Sequence, residues 1–534
     1  MSPPSARPIA AARLRAMIAD GGELALLDVR EEGRFAQGHL LFAVPLPLSR
    51  LELRIRDLVP RRGVPVVLSA GAEDDDLIAR AAERLSAFGY GDLSCLDGGV
   101  EAWKAAGFEV FSGVNVPSKA FGEFIEAARA TPHIPAAELK GLIDAGADMV
   151  VLDSRPMAEY QAMNIPGAVN VPGAELVYRI HDIAPAADTL VVVNCAGRTR
   201  SIIGAQSLIN AGVANRVVAL ENGTMGWHLA GFDLERGMDR APPAVSADGL
   251  ERAQAAASRI AARSRVGTLE HRTLHAWRQD DDRSLFLLDV RTPEEYAAGH
   301  LAGALPAPGG QLVQATDRYV GVRGARLVLI DGDGVRAKMT ASWLIQMGWN
   351  DVFVLEDALA AGPLVEGEHR AHVPGLEGLM CESVTPGELA ALVDADRAAV
   401  VDLADSRSYR AGHIPGAWFA VRARLPGNLG ALPETPLVVL TSPDGTCARL
   451  AAPEAAAGGR AVKVLDGGTR AWRAAGLELE DGLTHAADAT DDVWYRPYDL
   501  DGGTEGAMRQ YLDWEVDLVD QIRRDGTARF RALA

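Results

Sequence analysis

The feature that most constrains the fold is a pattern that occurs four times along the chain. Each copy opens with a short apolar run ending in an aspartate, and an aromatic residue and a turn follow. The four aspartates are Asp28, Asp153, Asp289 and Asp402, separated by 125, 136 and 113 residues. Because such a spacing matches one compact domain plus a linker, the chain is predicted to fold as four similar domains.

The four copies also close alike, with an apolar run, an acidic or glycine-rich turn and a later glycine. The closing marks are Leu96-Asp97-Gly98-Gly99 with Trp103 and Gly107, Leu220-Glu221-Asn222-Gly223 with Trp227 and Gly231, Leu355-Glu356-Asp357 with Gly362, and Leu465-Asp466-Gly467-Gly468 with Trp472 and Gly476. Between the marks every copy has a Val/Leu run and an Ala-rich helical stretch. Strand, crossover helix and strand predict an α/β fold, a parallel sheet with helices on both faces.

These marks divide the chain into predicted domains at 1–112, 130–236, 265–365 and 380–485, and a tail at 486–534. The linker 237–265 carries many charges, and we expect it to be a solvated spacer. The tail has apolar residues at helical spacing, which predicts an amphipathic helix. Packing of this helix on its own protein is the simplest expectation, and a lid or a subunit contact stays open.

Composition narrows the function. The chain has 534 residues and a net charge of −19, so neither nucleic acid nor an anionic membrane is expected as a partner. No apolar stretch is typical of a signal peptide or a membrane span, and a cytoplasmic location is expected. The four cysteines lie far apart without a CxxC pair, so no metal, cofactor or disulfide framework is predicted.

The candidate site is one loop of the second copy. It follows the apolar run Leu190–Asn194, a predicted buried strand, and precedes a predicted helix from Ile202 to Ala211. Backbone N–H groups and the helix dipole at such a place favour an anion, and they favour a thiolate over a thiol. The loop therefore predicts a nucleophilic sulfur beside an oxyanion site, and its residues are Cys195-Ala196-Gly197-Arg198-Thr199-Arg200-Ser201.

The other three copies lack a cysteine at the corresponding place. Counting from the aspartates gives Asp331 in the third copy and Ser69 or Ala70 in the first, and the fourth copy's strand ends at Thr441. An alcohol cannot store sulfur as a persulfide, and an aspartate repels an anionic substrate. We therefore expect these three domains to be inactive.

The order of these motifs resembles the rhodanese sulfurtransferases. Asp-x-Arg, Tyr, Gly-His-Ile-Pro-Gly-Ala, a cysteine loop after a strand, and Asp/Glu-Gly-Gly with Trp carry the resemblance, which covers nearly the whole chain. It implies four tandem rhodanese-like domains, each a small five-stranded parallel sheet wrapped by helices.

The resemblance also implies a mechanism. Cys195 would take a sulfane sulfur from thiosulfate or a low-molecular-weight persulfide, hold it as a persulfide, and pass it to a thiol or cyanide. The backbone N–H groups of residues 196–201 would cradle the persulfide, with Arg200 closing the loop. Arg198 would bind a sulfonate or carboxylate through two hydrogen bonds, and Asp153 with Arg155 would brace the loop.

The sequence departs from the rhodanese pattern at two places, and two alternative functions stay open. Met163-Asn164 stands where the other copies have Gly-His, so that histidine is interpreted as structural, and Ala196 beside the cysteine leaves the donor open. A cysteine phosphatase or arsenate reductase places five residues between Cys and Arg, whereas four separate Cys195 from Arg200. A non-catalytic scaffold or sulfur-relay binding protein also stays open, as does the oligomeric state.

Overall fold

The computed structural model describes residues 6–360 and 363–533, so Gly362, one of the closing marks, lies outside the described residues. The described chain forms four parallel five-stranded sheets. In each sheet the neighbours run in the order first, fifth, fourth, second and third strand of that copy. The predicted fourfold α/β repeat is confirmed.

The strands follow the predicted runs. The first sheet contains β1 (Arg7–Ile9), β2 (Ala25–Asp28), β3 (Val44–Pro45), β4 (Val66–Ser69) and β5 (Leu93–Leu96). The second contains β6 (His133–Ile134), β7 (Met149–Asp153), β8 (Val169–Asn170), β9 (Leu190–Asn194) and β10 (Val217–Leu220). The third contains β11 (Gly267–Leu269), β12 (Leu285–Asp289), β13 (Leu305–Pro306), β14 (Arg326–Ile330) and β15 (Val352–Leu355). The fourth contains β16 (Ser383–Val384), β17 (Ala398–Asp402), β18 (Trp418–Phe419), β19 (Leu437–Thr441) and β20 (Ala461–Leu465).

Helices cover both faces of each sheet. Those of the first domain are α1 (Ala11–Asp20), α2 (Glu32–Phe35), α3 (Leu51–Leu58), α4 (Asp75–Ala87) and α5 (Gly99–Ala105), and α6 (Val116–Arg129) follows in the linker. The second domain has α7 (Ala136–Asp144), α8 (Met157–Ala162), α9 (Glu175–Ile183), α10 (Thr199–Ala211) and α11 (Gly223–Leu229), followed by the linker helix α12 (Ala247–Ser264). The third has α13 (His271–Arg278), α14 (Pro293–Ala298), α15 (Gly309–Gln314) and α16 (Arg336–Gln346). The fourth has α17 (Pro386–Asp394), α18 (Ser406–Ala411), α19 (Thr446–Ala456) and α20 (Gly468–Ala474), and α21 (Thr504–Asp525) forms the tail.

The central strands are apolar because helices bury them on both sides. In β9, Val191, Val192 and Val193 are each 0% exposed. Strand β9 pairs with β7 so that Asn194 lies opposite Asp153. This register brings the carboxyl ends of both strands, where α/β sheets place their sites, to one edge.

The linker helices are packed parts of the structure. Helix α12 packs against α9 of the second domain and α16 of the third, and its Ala253, Ala257 and Ile260 are buried. The expectation of a solvated spacer at 237–265 is therefore wrong, because the charges of α12 lie on one face and its small apolar residues on the other. Helix α6 packs against α10 and α21, which brings the first linker and the tail to the second domain.

The repeated histidine has a packing role. His300 stacks on Tyr296 with ring centroids 3.7 Å apart, and its Nδ1 lies 2.9 Å from the Tyr296 carbonyl oxygen. In the second domain Asn164 Nδ2 donates to the Tyr160 carbonyl oxygen at 3.1 Å. The amide of Asn164 thus reproduces the hydrogen bond of the histidine, in agreement with a structural interpretation.

Ion pairs join the domains. Arg422 of the fourth domain donates to both carboxylate oxygens of Glu52 in the first, at 2.8 and 3.0 Å. Arg336 of the third domain donates to Glu175 of the second at 2.7 Å. No helix in the described part of the chain has the length and apolar character needed to cross a membrane.

Candidate active site

Cys195 lies between β9 and α10, where the sequence places it, and it is 2% exposed. Its Sγ is 3.5 Å from the Ser201 hydroxyl oxygen. Burial raises the pKa of the Cys195 thiol, whereas Arg200 and the Ser201 hydroxyl and backbone N–H lower it and Glu515 raises it. The expectation that the loop favours the thiolate is therefore not met, because removal of the thiol from water outweighs the effect of the loop's positive groups on its pKa.

The loop around this sulfur offers hydrogen-bond donors with no protein acceptor. Thr224 and Met225 donate their backbone N–H groups to the carbonyl oxygens of Cys195 and Ala196, at 2.8 and 2.9 Å, and so hold the loop in place. Among the described residues, the backbone N–H groups of Ala196 to Arg200 have no acceptor. Because buried N–H groups are normally paired, these donors indicate a site for an anion.

The structure identifies the corresponding residue in the other three loops. Ala70 and Ser442 each accept, at 3.0 Å, a backbone N–H from the start of the domain's last helix, as Cys195 does. Asp331 directly follows Ile330, which pairs with Asp289. The alternatives Ser69 or Ala70 are thus settled in favour of Ala70, and in the fourth domain the position after Thr441 is the equivalent one. None of these three residues carries sulfur.

In these three loops the protein's own oxygen atoms occupy backbone donors. Asp331 of the third domain accepts two N–H groups, and in each of the other two loops a carboxylate or a hydroxyl accepts at least one. The bonds are Gly334 and Ala337 to Asp331 at 3.1 and 2.9 Å, Gly71 to Asp74 at 3.0 Å, Thr446 to Asp444 at 2.9 Å and Ala448 to Ser442 Oγ at 3.3 Å. Among the four described loops, only that of Cys195 has none of these backbone donors occupied by a protein acceptor.

Arg200 closes the loop through an ion pair. Its two terminal nitrogens donate to the Glu159 carboxylate at 3.0 and 2.8 Å. Although burial would raise the pKa of Glu159, the Arg200 guanidinium lowers it to about 2. The third domain repeats the pair as Arg336 with Glu295, at 2.6 and 2.9 Å. Arg200 is thus held beside the sulfur by Glu159.

Arg198 has a different partner from the one expected. Its Nε and one terminal nitrogen donate to Glu123 of α6 at 2.7 and 2.8 Å, and the other lies 3.3 Å from Asn222 Oδ1. The two-bond geometry predicted for a sulfonate or carboxylate ligand is therefore used by a protein carboxylate. Arg198 attaches the loop to the linker helix.

Asp153 and Arg155 form a buried ion pair next to the loop. Arg155 donates to the two Asp153 oxygens at 2.8 and 2.6 Å and to the Met163 carbonyl at 2.6 Å, and both side chains are 0% exposed. Asp153 in turn accepts a hydrogen bond from Asn194 Nδ2 at 3.1 Å. Because Asn194 precedes Cys195, the pair positions the residue from which the loop starts.

The tail covers the loop. A Cβ atom at Gly197 would lie 2.9 Å from Met225 Cε, 3.1 Å from Glu515 Oε2 and 3.4 Å from Tyr511 Cε1. Glu515 also accepts from the Tyr511 hydroxyl at 2.9 Å and from the Thr199 hydroxyl at 3.4 Å. Helix α21 is therefore part of the wall above Cys195, which answers the question that the sequence left open.

A cavity of about 170 Å³ leads to this loop. Ala196 and Arg200 belong to its wall, together with side chains from the other three domains, the first linker and the tail. Examples are Glu32, Lys119, Arg318, Arg407, Arg496 and Tyr511. The site is thus shared among all parts of the chain.

Comparison with known proteins agrees with this geometry. The rhodanese-like domain matches residues 10–106, 135–230, 271–361 and 385–475. The chain belongs to the rhodanese family. Its fold matches the crystal structure of a thiosulfate sulfurtransferase from Pseudomonas aeruginosa with a TM-score of 0.94 and 48% identity, covering 99% of this chain and 100% of that one.

Two curated proteins match shorter stretches of this rhodanese. A sulfurtransferase of Allochromatium vinosum is 28% identical over 93 residues, 17% of this chain and 83% of that protein. An HTH-type transcriptional regulator of Mycobacterium tuberculosis, Rv0324, is 35% identical over 104 residues, 20% of this chain and 45% of the regulator, so less than half of its length is matched. The predicted family, fold and enzyme class, a sulfurtransferase of the rhodanese type, are confirmed.

Sequence reasoning missed three residues of the rhodanese site. Lys119 lies in the first linker, and Tyr511 and Glu515 lie in the tail, outside the repeat that pointed to the loop. The apolar stripe of the tail predicted its helix. No local signal indicated that this helix packs over Cys195.

Substituting Glu515 by glutamine is expected to lower the pKa of Cys195. Glu515 is 2% exposed and its charge opposes the thiolate, so a neutral amide of the same shape removes that opposition. The pH profile of Cys195 alkylation by iodoacetamide should shift to lower pH in Glu515→Gln. Asp513→Asn, an exposed change on the same helix, is the control and should leave the profile in place. An unshifted Glu515→Gln profile would contradict the prediction.

Proposed function

We propose that this rhodanese moves a sulfane sulfur from thiosulfate or a low-molecular-weight persulfide to a thiol or cyanide through a persulfide on Cys195. One observation carries the proposal: of the four described loops, only the one with a sulfur also leaves its backbone donors without a protein acceptor. A persulfide anion needs both features. The other three domains have no sulfur at the position of Cys195 and have loop donors that the protein itself occupies, and their side chains form walls of the site.

The reaction follows from this geometry. The Cys195 thiolate attacks the outer sulfur of the donor, the donor's S–S bond breaks, and sulfite or a thiolate leaves with the electron pair. The N–H groups of Ala196 to Arg200 and the Arg200 guanidinium compensate the negative charge on the outer persulfide sulfur. The acceptor then attacks that sulfur, and the Cys195 thiolate is released.

Two observations bear on the donor. Similarity to the thiosulfate sulfurtransferase of Pseudomonas aeruginosa supports thiosulfate. Ala196 beside the cysteine keeps a small persulfide as a second candidate. The mechanism needs a reduced Cys195, which fits the predicted cytoplasmic location.

The test is intact-protein mass spectrometry after brief exposure to thiosulfate or to glutathione persulfide. We expect a gain of one sulfur, about 32 Da, that cyanide removes. Cys195→Ser should show no gain. The matched control Cys447→Ser should keep it, because Cys447 is buried in the fourth domain, away from the cavity. No gain with either donor would overturn the proposal and favour a non-catalytic scaffold.

A further inference from the structure

Lys119 is a buried cation without a protein acceptor. It is 3% exposed, yet its ammonium group makes no hydrogen bond and no ion pair within 4.0 Å with any residue that the structure describes. Three aromatic rings surround the Nζ atom, with centroids at 5.0 Å for Trp494, 4.8 Å for Tyr511 and 4.7 Å for Trp514. The rings attract the charge, but burial lowers the pKa of Lys119 to about 8. The rings supply no oxygen, so the ammonium hydrogens stay available.

Lys119 lines the same cavity as the Cys195 loop. The other cations of that wall already have carboxylate partners. The pairs are Arg200 with Glu159 at 2.8 Å, Arg318 with Glu32 at 3.0 Å, Arg496 with Asp499 at 2.8 Å and Arg407 with Asp499 at 3.8 Å. Among the described residues of the cavity wall, Lys119 is thus the cation without a carboxylate oxygen within 4.0 Å, although the charge of Glu515 acts on it from a greater distance.

The Glu515 carboxylate is a second buried group near the loop that lacks a partner for one of its oxygen atoms. Glu515 Oε2 is buried without a hydrogen-bond partner and lies next to Gly197 of the loop. Glu515 is also the carboxylate whose charge acts most strongly on Lys119, yet among the described residues it makes neither a hydrogen bond to the Lys119 ammonium nor an ion pair within 4.0 Å. The oxyanion end of a donor whose reacting sulfur lies at the loop can therefore supply the oxygen acceptors that the Lys119 ammonium lacks.

We propose that Lys119 binds the oxyanion end of the sulfur donor and makes this site selective for small sulfane anions of the thiosulfate and thiosulfonate class. The inference rests on the proposed function and deepens it. The sulfane sulfur meets Cys195 while the sulfonate oxygens accept hydrogen bonds from the Lys119 ammonium. Lys119 is a specificity-determining residue and takes no part in bond breaking.

Steady-state kinetics with thiosulfate and cyanide test this assignment. In a two-step persulfide mechanism, kcat/KM for thiosulfate reports the loading step and kcat/KM for cyanide reports the unloading step. Lys119→Met keeps an apolar stem within the rings and removes the charge. Loss of a hydrogen bond to a charged group should lower kcat/KM for thiosulfate about 10- to 100-fold. The value for cyanide should stay close to that of the wild type, because cyanide has no sulfonate to bind.

Lys104→Met, which removes an exposed lysine from the first domain, is the matched control and should change neither value. An unchanged thiosulfate value in Lys119→Met would overturn the proposal, as would equal losses in both steps, since a merely structural role affects both. If Lys119→Met does not fold, Lys119→Gln carries the same expectation.

Binding separates this inference from the proposed function. Trp494 and Trp514 flank the ammonium, so thiosulfate binding to the full-length Cys195→Ser protein can be followed by tryptophan fluorescence. We expect the Kd to rise about 10- to 100-fold when Lys119→Met is added. An equal Kd in both proteins would overturn the subsite, even where the wild type loads sulfur. A wild type that binds thiosulfate through Lys119 without gaining sulfur would overturn the proposed function alone.

Discussion

Replacing Gly223 by alanine is expected to slow persulfide formation on Cys195 by about 100-fold, the order of loss that a 1 Å misplacement of a reacting group causes. Gly223 has a φ of +55°, and a Cβ there would lie 2.4 Å from the Cys195 carbonyl oxygen and 2.6 Å from that of Gly197. Both atoms belong to the backbone of the loop, so relief requires the loop itself to shift. The rate of mass gain with thiosulfate measures the effect.

The repeat supplies a matched control for this change. Gly99 of the first domain has a φ of +62°, and its Cβ would lie 2.5 Å from the Ala70 carbonyl oxygen, the counterpart of Cys195. Gly99→Ala therefore brings a similar strain to a loop without sulfur, and it should leave the rate of persulfide formation unchanged. Equal rates in Gly223→Ala and the wild type would show that the loop tolerates displacement.

Much of the fold follows from local patterns. The Val/Leu runs predict the central strands because a strand covered by helices on both faces must be apolar on both sides. Strand β9 has the predicted bounds, Leu190–Asn194, and α10 begins only three residues before the predicted Ile202. Asp153 and Arg155 are close in sequence, so their pairing could be anticipated. In this chain, structure that depends on residues close in sequence could be predicted from the sequence alone.

Long-range packing is what the pattern could not reveal. Thr199 and Glu515 form a hydrogen bond although 316 residues separate them. Arg198 binds Glu123 of the linker helix, whereas the charge pattern of the loop alone suggested an external anion. Part of the raised pKa of Cys195 has the same origin: burial is its main cause, and the opposing charge of Glu515 lies near the loop only because the tail folds back over Gly197.

The loop of the third domain shows in structural terms why that domain is expected to be inactive. Asp331 accepts two backbone N–H groups of its own loop, and so it takes the place that an anionic sulfur would need. Burial, and after it repulsion by Asp333, raises the pKa of Asp331 to about 7. The side chain of Asp331 therefore fills the place of an anion with its own oxygen atoms, and it has no nucleophilic sulfur. The sequence prediction that the third domain is inactive gains a structural reason.

Replacing Arg155 by methionine is expected to destabilise the second domain by about 3–5 kcal/mol, the cost of leaving a buried charge without its partner. Asp153 is 0% exposed and depends on two hydrogen bonds from Arg155, at 2.8 and 2.6 Å. Native-state hydrogen exchange of β7 and β9 reports the free energy of unfolding of this domain. Persulfide formation should slow as well, because Asp153 also holds Asn194 next to the nucleophile.

Arg291→Met in the third domain separates the two effects. Arg291 donates to Asp289 at 2.9 and 2.6 Å and to the Gly299 carbonyl at 2.7 Å, the same set of bonds as in the second domain. Its loss should destabilise the third domain by a similar amount, about 3–5 kcal/mol. However, the residue after β14 is Asp331, which carries no sulfur, so persulfide formation does not depend directly on Arg291. If Arg291→Met slowed persulfide formation as much as Arg155→Met, the brace would act through general stability. A selective effect of Arg155→Met would show that it acts by positioning the Cys195 loop.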